Sequence, residues 1–240
     1  MSKDVTIEVE IGRTIMNRRE LVIFDLDGTL VDSKIDLVNS VNATRGFMQL
    51  EPLLESVIAS YVGNGAPMLV RRALPDASEE QVARGLRFFL EYYREHMLDC
   101  TVLYPGVREA LDELHAAELP LAILTNKPVR FSIHMMEGLG LDTHFFRIYG
   151  GNSFAEKKPH PLGIEKLIAE SQADRAHTYM VGDSSVDILT ARNAGVHACG
   201  VAWGFQPETF SLEPPDFVIR DMRELVPMMV GQASGLRRVP

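Results

Sequence analysis

The chain has 240 residues, 46% hydrophobic and 24% charged, which is ordinary for a globular protein. Its net charge of −9 argues against nucleic acid as a partner, because a phosphate backbone is bound by clustered lysines and arginines. No stretch approaches the roughly 20 apolar residues of a membrane span, and residues 1–10 lack the apolar run of a signal peptide. We therefore expect a cytoplasmic protein with no membrane partner and with Cys100 and Cys199 reduced.

Short apolar runs predict six buried strands. The predicted strands are Leu21–Phe24, Leu121–Leu124, Phe145–Tyr149, Tyr179–Val181, Cys199–Ala202 and Phe217–Ile219. Segments with helical spacing separate most of them, at Val107–Ala117, Leu162–Ala169 and Asp187–Ala194. This alternation predicts an α/β fold, a doubly wound parallel sheet with a Rossmann-like core. In such sheets ligands bind beyond the carboxyl ends of the strands.

The alternation breaks between Ile35 and Cys100, where the sequence predicts helices and no strand. Glu79–Met97 has apolar residues on one face at helical spacing, which indicates packing. Ile35–Leu50 and Pro67–Leu74 are the other expected helices. The first strand is therefore followed by a helical insert, and we expect the sheet to resume near Thr101.

These patterns predict a core formed by residues 19–33 and 101–230, interrupted by an all-helical cap at residues 34–100. Residues 1–18 form an N-terminal extension of unassigned role. Within it, a weak alternating strand pattern is carried by Val5, Ile7, Val9 and Ile11. The chain ends in a predicted tail, Gly231–Pro240.

The strongest chemical signal follows the first strand, where Asp25–Ser33 reads DLDGTLVDS. Asp25 and Asp27 place two carboxylates at a strand end, and Gly28 allows the backbone to turn and bring amides near an anion. A carboxylate with a pKa near ~4 is ionised at neutral pH and can act as a nucleophile without a base. Against a phosphate dianion it needs a divalent cation and a lysine to offset repulsion.

Polar side chains that could take part in a site occur at three further places in the chain. They are Thr125 and Asn126 after the second predicted strand, Lys157 and Lys158 before a proline, and Asp183 and Asp187 after the strand Tyr179–Val181. Taken singly, each is as well explained by a helix cap or a solvated pair. Their convergence on one edge of the sheet favours a site, in which Asp25, Asp183 and a backbone carbonyl suit Mg²⁺.

In this order, the motifs resemble those of the haloacid dehalogenase superfamily of phosphotransferases, from about Leu21 to Phe205. Residues 62–74 resemble the cap of the bacterial phosphoglycolate phosphatases, and residues 200–205 resemble the same subfamily. The resemblance implies a Mg²⁺-dependent phosphomonoester hydrolase of a small phosphorylated metabolite, most closely 2-phosphoglycolate. It leaves open whether the chain is a monomer or a homodimer and whether Mg²⁺ or Mn²⁺ is preferred.

The resemblance also implies a role for each motif. Asp25 would be the nucleophile that forms an aspartyl phosphate, and Asp27 the general acid and base, with its backbone carbonyl on the metal. Lys158, rather than Lys157, would offset the negative charge. The other implied roles are phosphate binding by Thr125 and Asn126, metal binding by Asp183, and support of the metal's waters or of Lys158 by Asp187.

Recognition of a second anion is expected from the cap. Gly63 and Asn64, followed by Pro67, suit exposed amides at a helix start, which favours anions. Arg71 or Arg72 could add a bidentate contact, with Arg72 preferred, although solvated helix positions explain both equally well. We therefore expect Gly63, Asn64 and Arg72 to bind the substrate.

Several alternatives share parts of this pattern. Phosphonoacetaldehyde hydrolases use a cap lysine, and no lysine occurs between Ile35 and Asn126. A sugar phosphomutase also uses paired aspartates, and a pyrophosphatase-like relative is a further possibility. A receiver-like module accepts phosphate on an aspartate without turnover, but it lacks a counterpart of Asp27 and a helical lid.

Overall fold

The computed structural model describes residues 20–233. In chain order its elements are β1 (Leu21–Phe24), β2 (Val31–Asp32), α1 (Lys34–Phe47), α2 (Glu55–Ala59), α3 (Ala66–Ala73), α4 (Glu79–His96), β3 (Val102–Leu103), α5 (Val107–Ala116), β4 (Leu121–Leu124), α6 (Val129–Gly138), β5 (Arg147–Tyr149), α7 (Leu162–Ser171), β6 (Thr178–Gly182), α8 (Ser185–Ala194), β7 (His197–Val201), β8 (Phe217–Ile219) and α9 (Leu225–Ala233). Four short 3-10 helices lie at Asp142–His144, Arg175–His177, Pro207–Ser211 and Met222–Glu224.

Six strands form a parallel sheet in the order β5-β4-β1-β6-β7-β8. The central strand β1 is fully buried, as expected of a parallel strand covered on both faces. Phe24 lies opposite Ile123 of β4 and Val181 of β6. The residues that follow these three strands therefore meet at one edge of the sheet. The predicted doubly wound α/β core is confirmed.

Successive residues of β1 pack on opposite sides of the sheet, because side chains alternate along a strand. Val22 and Phe24 belong to an apolar cluster shared with α5, α6 and the helices that precede β3. Leu21 and Ile23 belong to a second cluster, with α7 and α8. The site at the end of β1 is thus supported by packed helices from both faces.

Four helices, α1 to α4, lie between β2 and β3. These two short strands pair antiparallel, with Val31 opposite Leu103, so the chain leaves the core and returns to it side by side. Helix α4 begins with a capping box, in which Ser78 Oγ accepts from Gln81 N at 3.3 Å and Gln81 Oε1 accepts from Ser78 N at 2.8 Å. Helix α1 packs against α2 and α4, and α3 packs against α4.

The prediction that the sheet resumes near Thr101 was wrong. The strand found there, β3, pairs with β2 outside the main sheet, and the six-stranded sheet resumes at Leu121. Helices α2, α6 and α9 were not predicted. The pattern at residues 5–11 and most of the predicted tail lie outside the described residues. Across residues 20–233, no helix combines the length and apolarity that crossing a membrane requires.

Candidate active site

Asp25 and Lys158 form a buried ion pair at the end of β1, with Lys158 Nζ 2.8 Å from Asp25 Oδ1. Lys158 Nζ also donates to Asp187 Oδ1 at 2.6 Å. Burial raises the pKa of Asp25 to about 6, although Lys158 opposes this rise. Burial alone would lower the pKa of Lys158, but Asp187 and Asp25 outweigh it and raise that pKa, so the lysine stays a cation. The pair thus holds a carboxylate beside a fixed positive charge.

Three buried carboxylates meet here, because Asp25, Asp183 and Asp187 place oxygens within 4.8 Å of one another. The pKa of Asp183 is raised well above its usual value by burial, and then by the charges of Asp187 and Asp25. One lysine does not balance three carboxylates, and hard oxygen donors with excess negative charge suit a divalent cation. The donor set therefore fits Mg²⁺.

Asp187 has both of its oxygens engaged. Beyond the contact with Lys158, its Oδ2 accepts from Ser184 N at 3.1 Å and from Ser184 Oγ at 2.8 Å, within the capping box of α8. Asp183 Oδ2 accepts from Phe205 N at 2.6 Å. Asp187 is therefore best placed to orient Lys158, whereas Asp183 retains more capacity for a cation.

Gly28 permits the close approach between the loop after β1 and the loop after β6. Its φ is +85°, a left-handed conformation that favours glycine, and a Cβ atom there would lie 2.3 Å from Asp183 Oδ2. A side chain at this position would displace the Asp183 carboxylate.

Asp27 lies beside the acidic cluster but has its own partners. Ser33 Oγ donates to Asp27 Oδ1 at 2.5 Å, and Lys127 Nζ donates to both carboxylate oxygens at 2.9 and 3.0 Å. Lys127 Nζ also donates to Tyr93 Oη of α4 at 2.5 Å. Sequence analysis did not single out Lys127, although it directly follows Thr125 and Asn126 at the same strand end. Tyr93 lies in the segment Glu79–Met97, whose apolar face predicts packing alone.

Thr125 and Asn126 emerge from β4 beside Asp25. Thr125 Oγ1 accepts from Lys127 N at 3.3 Å, which leaves its hydroxyl proton for a ligand. Both protons of Asn126 Nδ2 are used, because this amide donates to Gly63 O at 2.9 Å and to Lys158 O at 3.1 Å. Asn126 therefore links the loop after α2 to the core.

Of the three residues predicted to bind substrate from the cap, one lines the cavity and two do not. Gly63 lines the central cavity, whereas Asn64 and Arg72 are not among its lining residues. Arg72 donates to Tyr61 O at 3.1 Å and to Asn64 Oδ1 at 3.3 Å, so its guanidinium braces the loop before α3.

A cavity between α1–α4 and the sheet edge joins these groups. Its polar wall is formed by Asp25, Asp27, Thr125, Asn126, Lys127, Asp183 and Ser184, and its apolar wall includes Leu37, Val62, Leu69, Phe89, Tyr93, Phe131 and Phe205. Among the described residues that line it, Lys127 is the one lysine or arginine. The polar wall thus carries more carboxylates than cations, so an anion that enters it needs a further cation beside it.

Comparison with known proteins now identifies the fold family. Residues 22–201 match the haloacid dehalogenase-like hydrolase family. The chain belongs to this family. The family match spans Asp25, Thr125, Lys158 and Asp183, the residues that converge at the sheet edge.

Curated relatives match most of the chain. A phosphoglycolate phosphatase of Chromobacterium violaceum is 41% identical over 87% of this chain and 95% of its own. A phosphoglycolate phosphatase of Vibrio parahaemolyticus is 37% identical over 89% of this chain and 97% of its own. The crystal structure of a predicted phosphoglycolate phosphatase from Haemophilus somnus aligns with a TM-score of 0.84 at 32% identity, covering 89% of this chain and 99% of its own.

Proposed function

We propose that this hydrolase is a phosphatase that converts 2-phosphoglycolate to glycolate and phosphate through an aspartyl phosphate on Asp25. The observation that carries the proposal is the buried Asp25–Lys158 pair at the end of the central strand, beside Asp183 and Asp187. The names of the curated relatives support the choice of substrate.

The first step is nucleophilic attack by a carboxylate oxygen of Asp25 on phosphorus. The bond from phosphorus to the ester oxygen breaks, and Asp27 delivers a proton to the departing alkoxide. Ser33 and Lys127 hold the Asp27 carboxylate, and so fix its orientation beside Asp25. Lys158 offsets the charge that collects when a phosphate meets Asp25.

The second step releases phosphate. Asp27, now ionised, takes a proton from water, and the water oxygen attacks phosphorus as the bond to Asp25 breaks. This step returns the Asp25 carboxylate and the protonated Asp27 for the next cycle. The Thr125 hydroxyl donates a hydrogen bond to a phosphoryl oxygen in both steps, and Asn126 keeps the neighbouring backbone in place.

We propose Mg²⁺ as the cofactor, held by the carboxylates of Asp25 and Asp183 and by the backbone carbonyl of Asp27, with Asp187 supporting the site. When bound, the cation neutralises phosphoryl charge. Residues 34–100 would act as a cap that excludes bulk water, joined at its two ends to a core of residues 19–33 and 101–230.

The test is phosphate release from 2-phosphoglycolate and a panel of small phosphomonoesters, with Mg²⁺ or EDTA. Wild type is compared with Asp25→Asn and with Asp142→Asn, an exposed carboxylate before β5 and thus at the opposite end of the sheet. We expect a Mg²⁺-dependent preference for phosphoglycolate that only Asp25→Asn abolishes.

Other outcomes point elsewhere. Broad release lost in Asp25→Asn would keep the mechanism and discard the substrate. Label moved between sites of a bisphosphate without free phosphate would indicate a phosphomutase. A stable phosphoprotein that never turns over would indicate a receiver-like module.

A further inference from the structure

Lys127 is an unusual element of the cavity because it is a lysine with only 6% of its surface exposed. Burying an ammonium ion is costly unless partners satisfy it. Its partners are the carboxylate of Asp27 and the hydroxyl of Tyr93, whose ring also lies beneath the ammonium, with Nζ 4.5 Å from the ring centroid. The chain thus holds a second cation beside the reaction centre, separate from Lys158.

Tyr93 adds a donor at the same point. A lysine ammonium carries no acceptor, so the phenol oxygen accepts from Lys127 and its own proton remains free to donate. The ring of Tyr93 is fixed by Phe89 at 5.6 Å, stacked, and by Phe131 at 5.5 Å, edge-on. The three N–H groups of Lys127 are taken by the two Asp27 oxygens and by Tyr93, so the free donor that the rigid apolar wall presents to the cavity is the Tyr93 hydroxyl, beside the ammonium.

We propose that Lys127 and Tyr93 form a second anion site, which binds the carboxylate of a short phosphorylated hydroxy acid while its phosphate lies at Asp25. This inference rests on the proposed function and assigns its specificity. Lys127 contacts Asp27, which lies two residues after Asp25 and faces the leaving group in the proposed reaction. A carboxylate one carbon beyond the ester carbon falls on the side of the cavity that Lys127 occupies.

Because the cavity lining is largely apolar, a bound carboxylate depends on this cation for stabilisation. A carboxylate entering among Leu69, Phe89 and Phe131 loses its hydration and must find a compensating charge or donor. Arg72, the residue expected to play this part, is turned to Tyr61 and Asn64. Lys127 is the one lysine or arginine among the described residues that line the cavity, and its contact with Asp27 is exchanged for the substrate carboxylate when Asp27 carries the proton that the proposed reaction requires.

The experiment measures binding in the inactive Asp25→Asn background, so that any effect on Asp27 chemistry is excluded. Calorimetry compares 2-phosphoglycolate with ethyl phosphate, which has a methyl group where phosphoglycolate has its carboxylate. We expect the Asp25→Asn protein to bind phosphoglycolate about 10-fold or more tightly than ethyl phosphate. Adding Lys127→Met should reduce this ratio of the two affinities to about 1. Lys166→Met, an exposed site on α7, is the matched control and leaves the ratio unchanged.

If Lys127→Met left the ratio of the two affinities unchanged, whether or not both affinities fell, the anion site would be overturned. Should Lys127→Met fail to fold, Tyr93→Phe tests the same site, and we expect the ratio to fall by roughly 3- to 10-fold because one donor is lost. Turnover by the wild type separates the two proposals. Hydrolysis of phosphoglycolate with an unaltered binding ratio in the variants refutes the anion site alone, whereas hydrolysis of neither ester refutes the proposed function.

Discussion

The side-chain amide of Asn126 donates to the backbone carbonyl of Gly63 across 2.9 Å, and this bond joins the end of β4 to the loop between α2 and α3. The same amide donates to Lys158 O at 3.1 Å. One side chain therefore fixes both the loop over the cavity and the segment that carries the lysine beside Asp25. Gln206 Nε2, in the loop after β7, reinforces this closure by donating to Ala59 O, Ser60 O and Val62 O at 3.1–3.2 Å.

Asn126→Ala is expected to loosen that closure and to weaken catalysis. The substitution leaves two carbonyls without their donor, which costs roughly 1–3 kcal/mol of unfolding free energy. Urea unfolding and kcat/KM for phosphoglycolate measure the two effects. Asn42→Ala removes a comparable amide-to-carbonyl bond, to Leu53 O at 3.1 Å, between residues that do not line the cavity, and should lower kcat/KM by less. Equal effects from the two variants would count against a role for Asn126 in holding the site.

Gly28→Ala is expected to disable the acidic cluster. The new methyl group would lie 2.3 Å from Asp183 Oδ2 and would force a left-handed residue to carry a Cβ atom. We expect a large loss of activity and a weaker response to Mg²⁺, measured as kcat against Mg²⁺ concentration. Gly46→Ala in α1 is the control, since a Cβ there meets no atom within 4 Å. It should be neutral or stabilising by up to about 1 kcal/mol.

The sequence predicted which core residues converge better than it predicted the partners of Arg72 on α3. Asp25, Thr125 and Asp183 each follow an apolar strand, so their convergence could be inferred from the parallel sheet alone. The partnership of Lys127 with Asp27 could not, because it joins residues 100 apart through side-chain geometry. Arg72 shows the same limit, since its spacing on α3 fitted an anion site while its actual partners are a backbone carbonyl and an amide.

Stability without a divalent cation should depend on pH through Asp25. Its pKa rises from 3.8 to about 6 on folding, so the folded state binds more protons between these values and loses stability as the pH rises through that range. The loss is at most about 3 kcal/mol. In EDTA, we expect the Tm of the wild type to fall between pH 4 and pH 7 more steeply than the Tm of Asp25→Asn. Parallel curves for the two proteins would contradict a raised pKa at Asp25.

Added Mg²⁺ should restore the stability that the protein loses at pH 7 in EDTA, provided that Asp183 is present. A ligand that binds only the folded state stabilises it by about 2.7 kcal/mol at 100 times its Kd. We expect Mg²⁺ to raise the Tm of the wild type at pH 7 and to leave Asp183→Asn little changed, because an amide binds the cation poorly. Asp142→Asn is the control and should respond as the wild type does. An undiminished Mg²⁺ shift in Asp183→Asn would place the cation elsewhere.

Asp36 should prove essential for attaching the helices α1 to α4 to the core. It is 1% exposed and lies in the first turn of α1, where Oδ2 accepts from Thr101 N at 2.8 Å and from Thr101 Oγ1 at 2.7 Å. The carboxylate also accepts from Cys100 N at 3.0 Å, so the start of the insert is bonded to its end. Asp36→Ala is expected to lower the free energy of unfolding by about 2–4 kcal/mol, because it leaves three donors without an acceptor.

Urea unfolding of Asp36→Ala measures this cost, with Asp112→Ala as the matched control. Asp112, whose side chain is 55% exposed, accepts from His144 Nε2 at 2.7 Å, and its loss should cost less than about 1 kcal/mol. Asp36→Asn keeps one acceptor oxygen and should fall between wild type and Asp36→Ala. If Asp36→Ala were no less stable than Asp112→Ala, the junction would depend instead on the β2–β3 pairing, in which Val31 lies opposite Leu103.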